Sequence, residues 1–157
     1  MKKIFFLISL LFLISISVVF SNARWHEIVV PSSSLIAIQV DKESISLLNS
    51  GREDKPNNQI ISCVLKIIHS QDSRESFQYR FKKDSPEYKT DFSNLSYSLW
   101  TIRIDITDNE LLDKCLVSYD NNDHEILRET PDKKWVKINI STFMEVKDYS
   151  KKVLNIN

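Results

Sequence analysis

Alternation of apolar and polar residues is the feature that most constrains the fold of this chain, and it is clearest from Tyr97 to Thr107. A repeat of two residues is that of a β-strand with one buried face. Arg103 and Asp105 lie between the apolar positions and are predicted to face water. Trp25 and Trp135, which lie in or beside other apolar runs, are predicted to be core. The core residues predicted within this strand are Trp100, Ile102, Ile104 and Ile106.

Short alternating or β-branched runs recur along the chain and predict further strands. Ile60–Ser70 is the longest apolar run, so we expect a central strand covered on both faces. Pro31 and three serines separate the first two runs, which predicts a hairpin, and Tyr97–Thr107 is predicted to open a three-stranded meander. The other predicted strands are His26–Val30, Leu35–Asp41, Glu43–Leu48, Glu75–Lys83, Leu111–Asp120, Glu125–Thr130 and Lys134–Ile140.

The C-terminal segment changes to the period of a helix, because Phe143 and Val146 begin an apolar stripe on one helical face. We predict a helix over residues 142–154. Thr142 and Glu145 have the spacing of a capping box, in which each side chain bonds the backbone N–H of the other residue. The predicted fold class is α+β: an antiparallel, meander-like β-sheet with one face packed by this C-terminal α-helix.

The first residues have the layout of a secretory signal peptide. Two lysines precede an apolar run from Ile4 to Phe20, and small residues follow at Ser21 and Ala23, so residues 1–23 are predicted to be removed. The alternative is an uncleaved membrane anchor, although a run of 17 residues (20 − 4 + 1) is at the lower limit for spanning a bilayer. We therefore expect an exported bacterial protein, periplasmic, cell-surface or secreted, with one domain over residues 24–157.

The charge of the mature chain limits its partners. Removing the signal peptide leaves 19 basic residues (21 − 2) against 21 acidic ones, so the net charge is near −2. Such a balance gives no broad positive field for nucleic acid and no strong attraction to anionic lipid. Nucleic acid is therefore not a predicted partner, and membrane contact is predicted only through the signal peptide.

The composition also argues against several chemistries. The single glycine, Gly51, is too few for phosphate-binding loops or a nucleophile elbow. His26, His69 and His124 lie in three separate predicted segments, without the close pairwise spacing of metal ligands. We therefore predict no catalytic residue, metal or cofactor, and a non-enzymatic function. The alternative is a hydrolase or lyase site assembled from scattered residues such as His26, His69 and Asp41.

Cys63 and Cys115 form a candidate disulfide, because an exported location is oxidising and the number of cysteines is even. The bridge requires that the two cysteines lie on neighbouring strands. The alternative is a pair of free thiols that pack as small hydrophobic side chains.

Basic residues are concentrated toward the C-terminus, where they form a candidate contact patch for an acidic or sulfated partner. The alternative is a solvated helix face beside a turn. The lysines of this candidate patch are Lys133, Lys134, Lys137, Lys147, Lys151 and Lys152.

The order of several landmarks along the mature chain carries a further signal. Trp25 opens the mature chain, QVDKESI (39–45) supplies an extended segment, and SLW (98–100) opens a strand. SYDNNDHEI (118–126) then supplies a Tyr-Asp turn, and WVKINISTFME (135–145) leads into the last helix. In this order the chain resembles the surface-adhesin protein E family, a group of small exported bacterial domains.

The resemblance implies an antiparallel sheet flanked by a C-terminal helix, and adhesion to host extracellular-matrix proteins, with a homodimer as one arrangement. The glycine and proline that often precede the last helix of the family are replaced by Ile140 and Ser141, and the turn at residues 121–124 lacks a glycine. We therefore expect an adhesin-like binding module whose protein partner belongs to the host matrix or to the bacterial envelope. The alternative function is that of a periplasmic accessory or structural protein.

Overall fold

The computed structural model describes residues 24–28, 35–84, 90–131 and 134–156. The predicted signal peptide and Lys133 of the candidate lysine patch lie outside the described residues. The strands are β1 (Trp25–Ile28), β2 (Leu35–Asp41), β3 (Ser46–Leu48), β4 (Ile60–His69), β5 (Leu95–Asp105), β6 (Glu110–Asp120), β7 (Glu125–Glu129) and β8 (Val136–Lys137). The α-helices are α1 (Gln71–Asp84) and α2 (Ser141–Val153), and a short 3-10 helix spans Lys42–Ser44.

The described strands form one antiparallel sheet in the order β1-β2-β4-β5-β6-β7. β3 pairs with β4 beyond the end of β2, and β8 pairs with the start of β6. Ser44 fills the gap between β2 and β3, since its hydroxyl accepts a hydrogen bond from the Val64 N–H at 2.8 Å. The predicted α+β class is confirmed, as are the antiparallel pairing of the first two strands and the meander of β5, β6 and β7.

The buried face of the sheet is the one that the alternation along β5 predicts. Ile102 and Ile104 are fully buried and belong to the main core cluster. Val146 of α2 is fully buried in the same cluster, so this helix packs on this face. Trp100 is partly buried, and its ring meets that of Phe143 edge-on with centroids 5.3 Å apart. Each fully buried aliphatic side chain contributes about 1.5–3 kcal/mol to folding.

The helix α2 begins at Ser141, close to the predicted position, but the predicted capping box is wrong. Its N-cap is Ile140, which makes no side-chain cap hydrogen bond. Thr142 lies inside the first turn and is buried, so its hydroxyl is not at the cap position. None of the helices in the described ranges has the length and apolar character needed to cross a bilayer.

The helix α1 replaces the strand predicted over Glu75–Lys83, and that prediction is wrong. The alternating aromatic residues of this segment imitate a strand, but it contains no β-branched residue and is rich in Gln, Arg, Glu and Lys. These residues lose little rotamer freedom in a helix. In the helix, Phe77 packs on a second cluster that includes Phe92, with ring centroids 5.9 Å apart, whereas Tyr79 is 68% exposed.

Turns in this chain use Asn and Asp where glycine is common, because these residues tolerate the left-handed region better than others. Asn109 has a φ of 58° and Asp123 a φ of 62°. Asp123 therefore takes the position of the glycine that is missing from the turn at residues 121–124. Gly51 is needed for a different reason, since a Cβ at this position would lie 2.4 Å from the Pro56 carbonyl oxygen.

Candidate functional site

One face of the sheet is packed by both helices, and the other face, which we call the open face, carries neither of them. On β4, buried residues such as Leu65 and Ile67 alternate with half-buried ones such as Val64 and Lys66. The prediction that this strand is covered on both faces is therefore correct for the helix side, whereas on the other face Ile60 is buried and Val64, Lys66 and Ile68 are half-buried. The centre of the open face consists of Trp25, Lys66, Tyr97, Leu99, Val117 and Tyr119.

Aromatic and cationic side chains form a diagonal row across the open face. The Lys66 ammonium lies 4.3 Å from the centroid of the Tyr97 ring and 5.7 Å from that of the Trp25 ring. The rings of Tyr97 and Tyr119 stack, with centroids 5.0 Å apart and planes inclined by 18°. From β1 to β6 the row crosses four inter-strand steps, so it extends about 19 Å across the strands.

An acidic residue accepts hydrogen bonds at each end of this row. At one end Arg24, whose guanidinium lies over the Trp25 ring, donates two hydrogen bonds to Asp41, at 2.9 and 2.5 Å. Arg24 thereby holds the pKa of Asp41 below its usual value. At the other end the Tyr97 hydroxyl donates to Asp123 at 2.9 Å, and burial together with this carboxylate raises the pKa of Tyr97 to about 12.

Lys66 is the charged group at the centre of the row. Its ammonium contacts the two rings, and no carboxylate of the described residues forms an ion pair with it. The attraction of a cation to an aromatic ring leaves most of its hydrogen-bonding capacity free, because the ring offers no lone pair. The row therefore presents apolar ring surface and an available positive charge side by side, which suits binding.

A second charged cluster lies where β5 turns into β6. Asp105, Asp108 and Glu110 each place an oxygen within 4.8 Å of the others, a spacing at which three carboxylates can hold a metal ion. The prediction that Asp105 faces water is wrong, because it is fully buried. It accepts hydrogen bonds from the backbone N–H groups of Thr107 and Asp108, both at 3.0 Å, and from the Asn58 side chain at 2.7 Å.

Three cations neutralise this carboxylate cluster. Arg52 pairs with Glu110, the Lys55 ammonium lies 2.5 Å from Asp108, and the Lys137 ammonium lies 3.2 Å from Glu110. The hydrogen bond from Arg52 lowers the pKa of Glu110, and that from Lys55 lowers the pKa of Asp108. The cluster is therefore an ion-pair network that fastens the loop after β3 to the β5–β6 turn, and we assign no metal to it.

His69 lies at the centre of a buried polar network between α1 and the sheet. Its Nδ1 is 2.8 Å from the Ser73 hydroxyl on α1, and its Nε2 is 2.8 Å from the Ser98 hydroxyl on β5. The Ser98 hydroxyl is in turn 2.8 Å from that of Ser118 on β6. His69 is 3% exposed, and burial lowers its pKa to about 4. The network satisfies buried polar groups and ties α1 to the sheet.

The structure does not bring together the residues of the alternative enzymatic site. Asp41 is held by Arg24 on the open face, whereas His26 lies on the helix side and stacks on Tyr149, with ring centroids 3.7 Å apart. His69 lies at the far end of β4, within its own network. These three residues therefore share no site.

The candidate disulfide is incompatible with this fold, in which Cys63 and Cys115 are both free thiols. Because β5 separates their strands, their Cα atoms are two inter-strand steps apart, about 9–10 Å, beyond the limit of about 7 Å for a bridge. Cys63 lies opposite Ile102 on the helix side, and Cys115 lies opposite Thr101 on the open face. Burial raises the pKa of the Cys63 thiol to about 12.

The candidate lysine patch is divided between two environments. Lys137 and Lys147 fasten the β5–β6 turn, since Lys137 donates to the Asp108 carbonyl at 2.8 Å and Lys147 to the Asn109 side chain at 2.7 Å. A contact role for the patch stays a prediction that depends on its other members. The described members that make no such bond to this turn are Lys134, Lys151 and Lys152.

Trp100 is the tryptophan that packs against the main core cluster. Trp25 lies on the open face beside Lys66, and the Trp135 ring is covered by the Arg52 guanidinium, 4.7 Å from its centroid. The prediction that every tryptophan is core is therefore wrong for Trp25 and Trp135, whose rings contact cations instead.

Sequence patterns do not reveal the open-face row, because its residues come from four separate strands. A signal for the surface is nevertheless present, since Ile60–Ser70 is apolar on both faces and Tyr97 and Leu99 lie on the second face of β5. Neither α-helix of the described ranges covers this second face, and an exposed apolar surface of this kind is typical of a contact surface. Only the register between strands shows that the rings meet around Lys66.

Comparisons of the chain with family models, with curated proteins and with solved structures found no match. The resemblance to the surface-adhesin protein E family therefore rests on the spaced residues quoted above.

Proposed function

We propose that this protein is an exported binding module that contacts its partner through the open face and catalyses no reaction. The row of Trp25, Lys66, Tyr97 and Tyr119 carries the proposal. Tyrosine and tryptophan supply large contact areas with few rotatable bonds, and they dominate the energetics of many interfaces. The hydroxyls that His69 contacts are buried, which argues against this histidine as a catalytic base.

Two features of the sequence support the proposed location of the protein outside the cytoplasm and the proposed class of its partner. The predicted signal peptide over residues 1–23 supports export, and the resemblance to surface-adhesin protein E supports adhesion to host extracellular-matrix proteins. A periplasmic accessory protein would use the same face for another envelope component. Protease treatment of intact cells separates these functions, because an adhesin is digested and a protein confined to the periplasm is protected.

A matched pair of double variants tests the open face. Lys66→Gln with Tyr119→Ala removes a charge and a ring from the row, whereas Lys83→Gln with Tyr79→Ala removes the same groups from exposed positions on α1. We expect the wild type and the α1 variant to bind immobilised matrix proteins equally well. The open-face variant should lose most of this binding while its circular dichroism stays that of the wild type.

A third variant, Lys151→Gln with Lys152→Gln, tests the lysine patch as the rival surface. Loss of binding in this variant alone would move the contact to the patch and contradict the proposal. Equal background binding by the wild type and every variant would contradict matrix adhesion itself.

A further inference from the structure

We propose that the ligand of the open face is an acidic polysaccharide that lies along the row from Trp25 to Tyr119. This inference rests on the proposed function and names the chemical class of the partner. The observation that carries it is the placement of aromatic rings on both sides of the Lys66 ammonium, which forms no ion pair with any described residue.

The rings supply the surface that a sugar chain needs. A pyranose ring has an apolar face of C–H groups that packs flat against an aromatic side chain. Trp25 and the Tyr97–Tyr119 pair lie at opposite ends of the row, with Leu99 between β4 and β6 as an apolar floor. A row that extends about 19 Å across the strands spans several sugar rings, which suits a linear chain.

The unpaired charges of the open face favour an acidic chain. Lys66 and Arg103 form no ion pair within the described residues, and their positions on β4 and β5 place them about 13 Å apart along the strands. Asp41 is paired with Arg24, whereas Asp123 keeps its charge and lies in the turn beyond the Tyr97 hydroxyl, at the end of the row. Glu125, the register partner of Tyr119, is paired with Arg128. Glu27 lies on the edge strand β1, two inter-strand steps from Lys66. The centre is therefore positive, although the whole chain has a net charge of zero.

The position of Lys66 favours the acidic glycans that matrix proteins carry, over their polypeptide surface, as the direct contact. A protein interface would desolvate this ammonium at the centre of the contact, which is unfavourable unless an acid pairs with it and its other protons are bonded. A polysaccharide chain lies along the surface and leaves water around its charged groups. The carboxylates or sulfates of such a chain can reach Lys66 while its sugar faces pack on the neighbouring rings.

Titration calorimetry of the exported protein with heparin, hyaluronan and neutral dextran tests the inference. We expect binding to both acidic polymers, weakening with added salt, and none to dextran. Lys66→Gln should weaken binding about tenfold through the lost charged hydrogen bonds. Tyr119→Ala should also weaken it, and the α1 variant of Lys83 and Tyr79 should bind like the wild type.

Several outcomes would overturn the inference. Equal affinity for dextran would show that charge does not contribute to binding. Binding of acidic polymers that survives both Lys66→Gln and Tyr119→Ala would show that the row is not the binding surface. Loss of binding only in the Lys151 and Lys152 variant would place the polymer on the lysine patch.

A competition arm separates this inference from the proposed function. If the open-face variant loses binding to matrix proteins that have been stripped of glycans, and heparin and hyaluronan do not compete, the face binds protein. The inference then fails, and the proposed function stands. If no variant affects either kind of binding, the open face is not a contact surface, and both fail.

Discussion

The Lys66 ammonium lies 4.3 Å from the centroid of the Tyr97 ring, on the face of the sheet opposite to both helices. The contact joins β4 to β5 and places a charge beside two aromatic rings. Because the tyrosine ring cannot neutralise that charge, the same contact that stabilises the row leaves the ammonium available to a ligand.

A double-mutant cycle measures this contact in the free protein. Lys66→Met and Tyr97→Leu, singly and together, should give a coupling free energy of about 0.5–2 kcal/mol, the range from exposed to desolvated cation–π pairs. Urea unfolding of the four proteins provides the value. A coupling energy near zero would show that the two side chains do not interact in solution.

His69 should make the protein less stable as the pH falls. Its folded pKa of about 4 is below the 6.5 of a free histidine, so between these values the unfolded chain binds a proton that the folded chain does not. Protons therefore favour unfolding in this window, and stability present above pH 6.5 is lost toward pH 4, by about 3 kcal/mol.

Urea unfolding over this pH range checks the effect of His69. His69→Gln should reduce the slope of stability against pH more than His124→Gln does, because His124 lies at an exposed turn. Identical slopes for the two variants would show that His69 is not the group responsible.

The two cysteines should behave as unlinked thiols of different reactivity. Cys115 should react with iodoacetamide in the native protein well before Cys63, because burial raises the pKa of Cys63 to about 12 and blocks access. Mass spectrometry of unreduced protein in denaturant should then show alkylation of both residues. A mass two hydrogens lower, with neither residue alkylated, would reveal a bridge and a different strand order.

Asp105→Ala should destabilise the protein by about 3 kcal/mol. The substitution leaves the backbone N–H groups of Thr107 and Asp108 and the Asn58 amide without their acceptor in a buried place. Denaturant unfolding gives the value, and Asp148→Ala, on the exposed side of α2, is the matched control with a change near zero. A loss below 1 kcal/mol would mean that water replaces the carboxylate there.

The sheet could be predicted from sequence because its strands alternate with a period of two, and α2 because its apolar stripe has the helical period. The helix α1 could not, since Phe77 and Tyr79 imitate a strand and helix propensity is a weaker signal than spacing. Asp105 follows the alternation of β5, but a loop that comes from before β4 covers it through Asn58. Contacts between distant segments of this kind are not encoded in local periodicity.

The candidate site was less predictable than the fold. Lys66, Tyr97 and Trp25 are separated widely along the chain, and each is unremarkable in its own segment. The pairing register of the strands brings them together. A shift of β4 by one residue in this register would move Lys66 to the helix side. In the candidate lysine patch, by contrast, closeness in sequence does not produce a shared surface. Lys137, for example, donates a hydrogen bond to the β5–β6 turn.

The most direct test of the account is a map of chemical-shift changes in isotope-labelled protein during titration with a bound partner, heparin or a soluble matrix protein. If the open face is the contact surface, the largest changes fall on the Trp25 indole and the ring signals of Tyr97 and Tyr119. Changes confined to the helix α2 and its lysines, with the open-face signals unmoved, would contradict it.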